Sequence, residues 1–203
     1  MTAMTGKSDT SQPAGRPRSI ESERAILDAT WRLLKGSSVR KISIEAIARE
    51  ARASKTTIYR WWPSKAAVIV DAFLAQMQTA LPFPNADTAT VALTQQMGQL
   101  VQVFSGDVGR IVAQIIAEGQ GDSEALESFR DRFLNVRRGA AQQVIVQGIA
   151  SGEFDPDLDP DIAMDLLYGP IYYRLLVQHL PLDKQFVATL TDRAFRALSS
   201  TQA

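Results

Sequence analysis

Four residues in one short stretch could bind a polyanion from a single helix face. Lys55, Thr56, Tyr59 and Arg60 fall at i, i+1, i+4 and i+5, so a helix here would present them together. Their ammonium, hydroxyl, phenol and guanidinium can each hydrogen-bond a phosphate oxygen or a base edge. The same face holds no acid, while Ile58 and Trp62, four apart, would pack inward. A solvated face on an ordinary surface helix would have the same composition, so the spacing alone leaves both uses open.

Other chemistry has little material. The chain has no cysteine and one histidine, His179, so thiolate metal sites, disulfides and His clusters are excluded and a catalytic triad would rest on that residue. No Gly-x-Ser-x-Gly occurs, and Gly119-Gln120-Gly121 lacks the third glycine and preceding strand of a dinucleotide loop. Asp155, Asp157, Asp159 and Asp161 alternate like a calcium loop, but the sixth and twelfth positions are Pro160 and Leu166, where such a loop needs Gly and Glu. Those acids fit the positive end of a helix starting at Pro160 better. No cofactor, no metal and no enzyme activity are expected.

Charge is divided along the chain. Its 203 residues are net neutral, but residues 1–65 carry +7 and residues 66–203 carry −7. A basic third on an acidic body suits a polyanion partner for that third. With 45% apolar residues a packed core is available, no stretch approaches the ~20 apolar residues of a membrane span, and residues 1–19 lack a signal-peptide core. The expectation is a cytoplasmic protein with no membrane partner.

The elements that must position the four residues are all helical. Residues 1–18 read as a disordered basic arm ending in Arg16 and Arg18, which could enter a minor groove or only add charge. Residues 19–65 read as a three-helix unit. The first helix, Ser19 to Lys35, is capped by Ser19 or Ser22. The second starts at cap Ser43 with Ile44, Ile47 and Ala48 inward, and the third runs from cap Ser54 to Trp62. Two short helices joined by a tight turn suit a helix-turn-helix. Residues 66–203 read as a helical regulatory and dimerisation domain. A fourth helix runs from Ser64 to about Ala80. Further helices are expected near 88–104, 108–118, 124–150, 160–180 with a kink at Gly169-Pro170, and from Asp183 to 198. The fold class is all-α.

Ile58-Tyr59-Arg60-Trp61-Trp62-Pro63-Ser64-Lys65, Ser43-Ile44-Glu45-Ala46-Ile47-Ala48 and Ser54-Lys55-Thr56-Thr57, in this order and spacing, resemble the TetR family of transcriptional regulators over about residues 20 to 75. The resemblance implies a repressor, dimeric through its last two helices, on palindromic double-stranded DNA, and released by a small-molecule effector. It implies that Ser43 and Lys65 hold phosphates at helix starts and that Lys55, Thr56, Tyr59 and Arg60 form the recognition surface. Two positions depart from the pattern. Arg52 stands in the turn where Gly is usual, which costs about 1 kcal/mol or more if the backbone is left-handed; otherwise the turn is built differently, or Arg52 adds a DNA contact. Trp61 replaces a polar residue, and either lies on the DNA backbone or extends the core.

For the effector, an uncharged or weakly charged, largely apolar ligand is expected, because inward-facing charge looks scarce between Thr88 and Leu180. Tyr168 and Tyr172 share a helix face and could orient it, with Arg174 as the cation. Ordinary core and dimer packing would use the same residues. A ligand-independent regulator and a helical enzyme with a protein-docking head are the alternatives.

Overall fold

The structure, a computed structural model, describes residues 17–77, 83–121 and 123–199. The head contains α1 (Pro17–Gly36), a single 3-10 turn (Val39–Lys41), α2 (Ile44–Ala51) and α3 (Lys55–Trp61), and α4 (Lys65–Met77) joins it to the body. The body contains α5 (Ala89–Phe104), α6 (Asp107–Gly119), α7 (Ser123–Phe129), a π turn (Arg130–Leu134), α8 (Asn135–Ala150), α9 (Pro160–Val177) and α10 (Lys184–Leu198). No strand occurs among the described residues.

Short polar side chains start most of these helices, since each first turn leaves amides without partners. Ser43 accepts from the Ala46 amide at 3.2 Å, Ser54 from Thr57 at 3.0 Å and Ser64 from Ala67 at 3.1 Å. Thr88, Asp159 and Asp183 cap α5, α9 and α10 in the same way.

Several boundaries differ from those the sequence predicts. α1 begins at Pro17, a residue suited to a first helical turn, so Ser19 and Ser22 lie within the helix and Arg18 belongs to α1 rather than to an arm. Arg16 and the rest of the predicted arm lie outside the described residues. The helix expected over 124–150 is divided by the π turn Arg130–Leu134, in its first half, into α7 and α8. α9 stays continuous through Gly169-Pro170 and ends at Val177, three residues early, where Gln178 turns left-handed at φ 54°. Arg52 closes α2 in the left-handed conformation, φ 52° and ψ 39°, so the turn has the usual geometry and Arg52 carries its strain.

Two helix crossings position the body. α5 and α6 meet at 84°. At that corner a Cβ on Gly109 would lie 1.9 Å from the Phe104 carbonyl oxygen, so only glycine fits. Where α8 crosses α5, Gly148 lies under the buried Phe154 ring, which a Cβ would approach to 2.5 Å. Glu153, in the α8–α9 turn, accepts from the Ala89 and Thr90 amides at 2.9 and 3.0 Å and so ties that turn to the start of α5.

Candidate nucleic-acid interface and effector cavities

α3 separates its two sides sharply. Ile58 is fully buried and Trp62 is 3% exposed, packed with Ile26, Ile44 and Ile47 in one core. Burying each such side chain contributes roughly 1.5–3 kcal/mol, which fixes how the helix is rotated. Lys55, Thr56, Arg60 and Tyr59, the last 54% exposed, are left in solvent. Trp61 is also partly exposed, its ring 6.5 Å from that of Trp62. It therefore extends the core edge and still offers a surface.

The structure alters two of the predicted contacts. The strip is free of acids only along α3 itself: Glu45 on α2 accepts from Lys55 at 3.1 Å. A hydrogen bond from its own backbone amide, and then Lys55, hold the Glu45 carboxyl below its ordinary value. Lys65 is half-buried and donates to the Val39 carbonyl at 3.4 Å, so it points into the head rather than across the strip. The Val39 carbonyl also accepts from the Ile42 amide at 3.3 Å, so Lys65 is a second donor to the carbonyl of the 3-10 turn. Ser43 keeps its hydroxyl hydrogen to donate, because its oxygen is what caps α2.

Two cavities adjoin in the body. A smaller one, about 210 Å³, is lined by Leu100, Met164, Tyr168 and Tyr172, with Gln96 and Arg137 at its wall. A larger one, about 460 Å³, lies between α4 and α8 and is lined by Leu74, Met77, Phe83 and Phe133, again with Gln96 and Arg137. The two expected tyrosines do face one cavity. The Tyr168 hydroxyl donates to Gln96 Oε1 at 2.6 Å, and Tyr172 packs edge-on against Phe104. Burial pushes the Tyr172 hydroxyl up to about 12 and Tyr168 higher still, so both phenols stay neutral donors at ordinary pH.

Arg174 is not the cation of this site. It donates to the Pro181 carbonyl at 2.7 Å and lies over the Phe186 ring at 3.7 Å, holding α9 to α10. Six residues beyond Tyr168 it sits on another side of the helix. The cation common to both cavities is Arg137 of α8, which the sequence reading missed; Arg132 also lines the larger cavity and Arg138 the smaller. It donates to the Met77 carbonyl at 3.1 Å and lies over Phe133 at 5.0 Å. Burial lowers its guanidinium from the ordinary value, while the neighbouring Tyr172 pulls it back up. One signal for it was available: Phe133, Arg137, Ala141 and Ile145 follow one another at i+4, which marks the buried face of α8.

Two joints link body and head, one of them through the larger cavity. Trp62 Nε1 donates to Asp71 Oδ2 at 2.8 Å, and Asp71 is paired on its other oxygen with Arg132 of the π turn, which lines the larger cavity. On the other side, Arg110 of α6 donates to the Leu34 and Lys35 carbonyls at 3.0 Å, and Gln114 accepts from the Val39 amide at 2.9 Å. A cation at the last carbonyls of α1 is favourable for that helix end.

Comparison with known proteins agrees with this arrangement. Residues 26–72 match the family model described as bacterial regulatory proteins, tetR family, and residues 83–194 match that of the tetracyclin repressor-like C-terminal domain. The HTH-type transcriptional regulator YdeS of Bacillus subtilis (strain 168) is 35% identical over 93% of this chain and 96% of its own length. The crystal structure of the TetR family regulator SCO0332 superposes with a TM-score of 0.74 at 29% identity, covering 89% of this chain and all of that one. The regulator FadR of Bacillus subtilis, solved in complex with stearoyl-CoA, has the same fold, with a TM-score of 0.71 at 16% identity over 86% of this chain and 98% of its own.

Proposed function

The chain belongs to the TetR family of bacterial transcriptional regulators, DNA-binding proteins rather than enzymes, and we propose that it acts as a dimer on a palindromic operator and leaves it when a small, mostly apolar effector fills the body. The head (residues 19–65) docks α3 in the major groove through Lys55, Thr56, Tyr59 and Arg60. Ser43 holds a phosphate, as does Lys65 once it leaves the Val39 carbonyl, while Arg16 and Arg18 add charge beside the groove. The body (residues 66–203) dimerises and senses. Its work is in the cytoplasm, with the DNA.

The observation that carries the reading is the exposed cationic strip on a helix whose rotation is fixed by buried Ile58 and Trp62. The dimer is supported by α9, where Ile162, Leu166, Tyr173 and Leu176 are exposed at helical spacing. Such a row is self-complementary across a two-fold axis. Release is supported by the joint from Trp62 through Asp71 to Arg132. An effector that shifts the π turn moves the anchor of α3, and DNA and effector must then weaken each other equally.

The test is fluorescence anisotropy on duplexes tiled across the DNA beside the gene, at two salt concentrations. Wild type should select one palindrome, with affinity falling steeply as salt rises. Tyr59→Ala and Arg60→Ala should each weaken it by roughly tenfold or more with unchanged helicity. Normal affinity in both variants would refute the interface.

A further inference from the structure

We propose that the two adjoining cavities form one site for an amphipathic ligand bearing a single carboxylate, with the carboxylate at Arg137 and the apolar part between α5 and α9. This rests on the effector reading above and narrows the uncharged or weakly charged, largely apolar ligand that the sequence suggests to one with a single negative charge.

Arg137 and Gln96 stand in the walls of both cavities, so their polar groups mark where the two meet. Gln96 Oε1 is taken by the Tyr168 hydroxyl, which leaves the Gln96 amide hydrogens as what that side chain can offer a ligand. The common wall thus presents donors: a guanidinium and a carboxamide N–H₂. Tyr172, kept neutral by burial beside Arg137, adds a phenol that can donate. The smaller cavity is also lined by Asp165 and Arg138, which pair with each other at 3.0 Å, and that arginine also binds Asp161 at 2.8 Å, so the acid's charge is met within the wall. The described wall of the larger cavity has Arg132 and Arg137 and no acid. A site of several donors with a cation, next to an apolar chamber of Leu100, Met164 and Tyr168, is complementary to a carboxylate on a hydrocarbon or aryl body. A planar guanidinium can grip a carboxylate with two hydrogen bonds, which a neutral acceptor cannot match.

The probes are nonanoate and 4-phenylbutyrate, each beside its methyl ester and primary amide. They are titrated into the full chain by calorimetry and scored for release of operator. The acids should bind about tenfold more tightly than their esters and amides, the value of one charge-assisted contact. Arg137→Gln should reduce that preference to near parity while ester binding stays. Arg137→Lys should keep part of it, and Arg174→Gln all of it. If Arg137→Gln does not fold, the acid-to-ester ratio in wild type and in Arg137→Lys still decides. Equal binding of acid and ester, no binding by either acid, or a preference that survives Arg137→Gln overturns the proposal. Esters that release operator as well as the acids do would leave effector control standing and remove only the anion site. Acids that bind through Arg137 yet leave operator binding unchanged would keep the site and remove effector control.

Discussion

In the head, each of the two helix-turn-helix helices is started by a serine three residues from the amide it caps. In the body, α5 has its own Thr88 cap and also a carboxylate from Glu153, over sixty residues away. The same division runs through the packing. The head core is assembled from apolar residues at helical spacing within about forty residues, whereas the body depends on backbone approaches at Gly109 and Gly148 that bring distant helices together. The head end of α1 even takes its final capping from Arg110 of the body. A region built from local rules is a rigid reader. A region built from long-range contacts can have two arrangements, as a sensor must.

The comparison is best broken at the α5–α6 corner. Gly109→Ala sets a methyl against the Phe104 carbonyl, a backbone atom that cannot swing aside. The expected loss is about 3 kcal/mol, or roughly 10 °C in melting temperature. Loss of the Arg110 contacts with α1 should follow, so DNA affinity falls although no DNA-facing residue has changed. Thermal melting and anisotropy on the same sample check both. A variant that melts like wild type would mean the corner is held by something other than the glycine.

A smaller effect is expected at Glu153. Burial alone would push its carboxyl up, but the Ala89 and Thr90 amides and the Thr90 and Ser151 hydroxyls outweigh that and hold it below its ordinary value. An unfolded glutamate titrates near about 4.3. Its contribution is therefore full above that pH and fades as the pH falls through the lower folded value. Glu153→Gln should cost about 1 kcal/mol at neutral pH, and the gap in melting temperature from wild type should close on acidification. A gap that widens in acid contradicts the assignment.

How far each region can be read from sequence follows from the same division. Ser43, Ser54, Ile58 and Trp62 are legible because cap, periodicity and turn act within a few residues. The cavity is half legible: Tyr168 and Tyr172 share a face by spacing alone. Its cation is legible only as one position on the buried i+4 row of Phe133, Arg137, Ala141 and Ile145; that Arg137 reaches this cavity depends on how α8 packs. Arg174 was attractive only through proximity along the chain. The Trp62–Asp71–Arg132 connection has no sequence signal, since three separate elements must meet before it exists. Gln178 ends α9 in a left-handed turn that nothing in its side chain requires.

Arg52 sets the two regions' logic against each other at one residue, with the smallest expected effect on stability. It closes α2 at φ 52°, where a side chain costs roughly 1–2 kcal/mol, and it is exposed between α2 and the recognition helix. Gly would remove that strain but add freedom to the unfolded chain, worth about 0.4–1 kcal/mol in the other direction. The net expectation for Arg52→Gly is a gain of about 0.5 kcal/mol, or roughly 1–2 °C. An exposed cation held at a strained position between α2 and α3 is placed to meet the DNA backbone, and the variants test that role. Arg52→Gly should therefore bind operator more weakly than wild type and lower the salt slope by about one ion. Arg52→Ala separates the two terms: it keeps the left-handed strain, so stability should not rise, and it loses the same cation, so affinity should fall as in Arg52→Gly. If both variants bind DNA like wild type while only Arg52→Gly is stabilised, Arg52 is strain without a DNA contact.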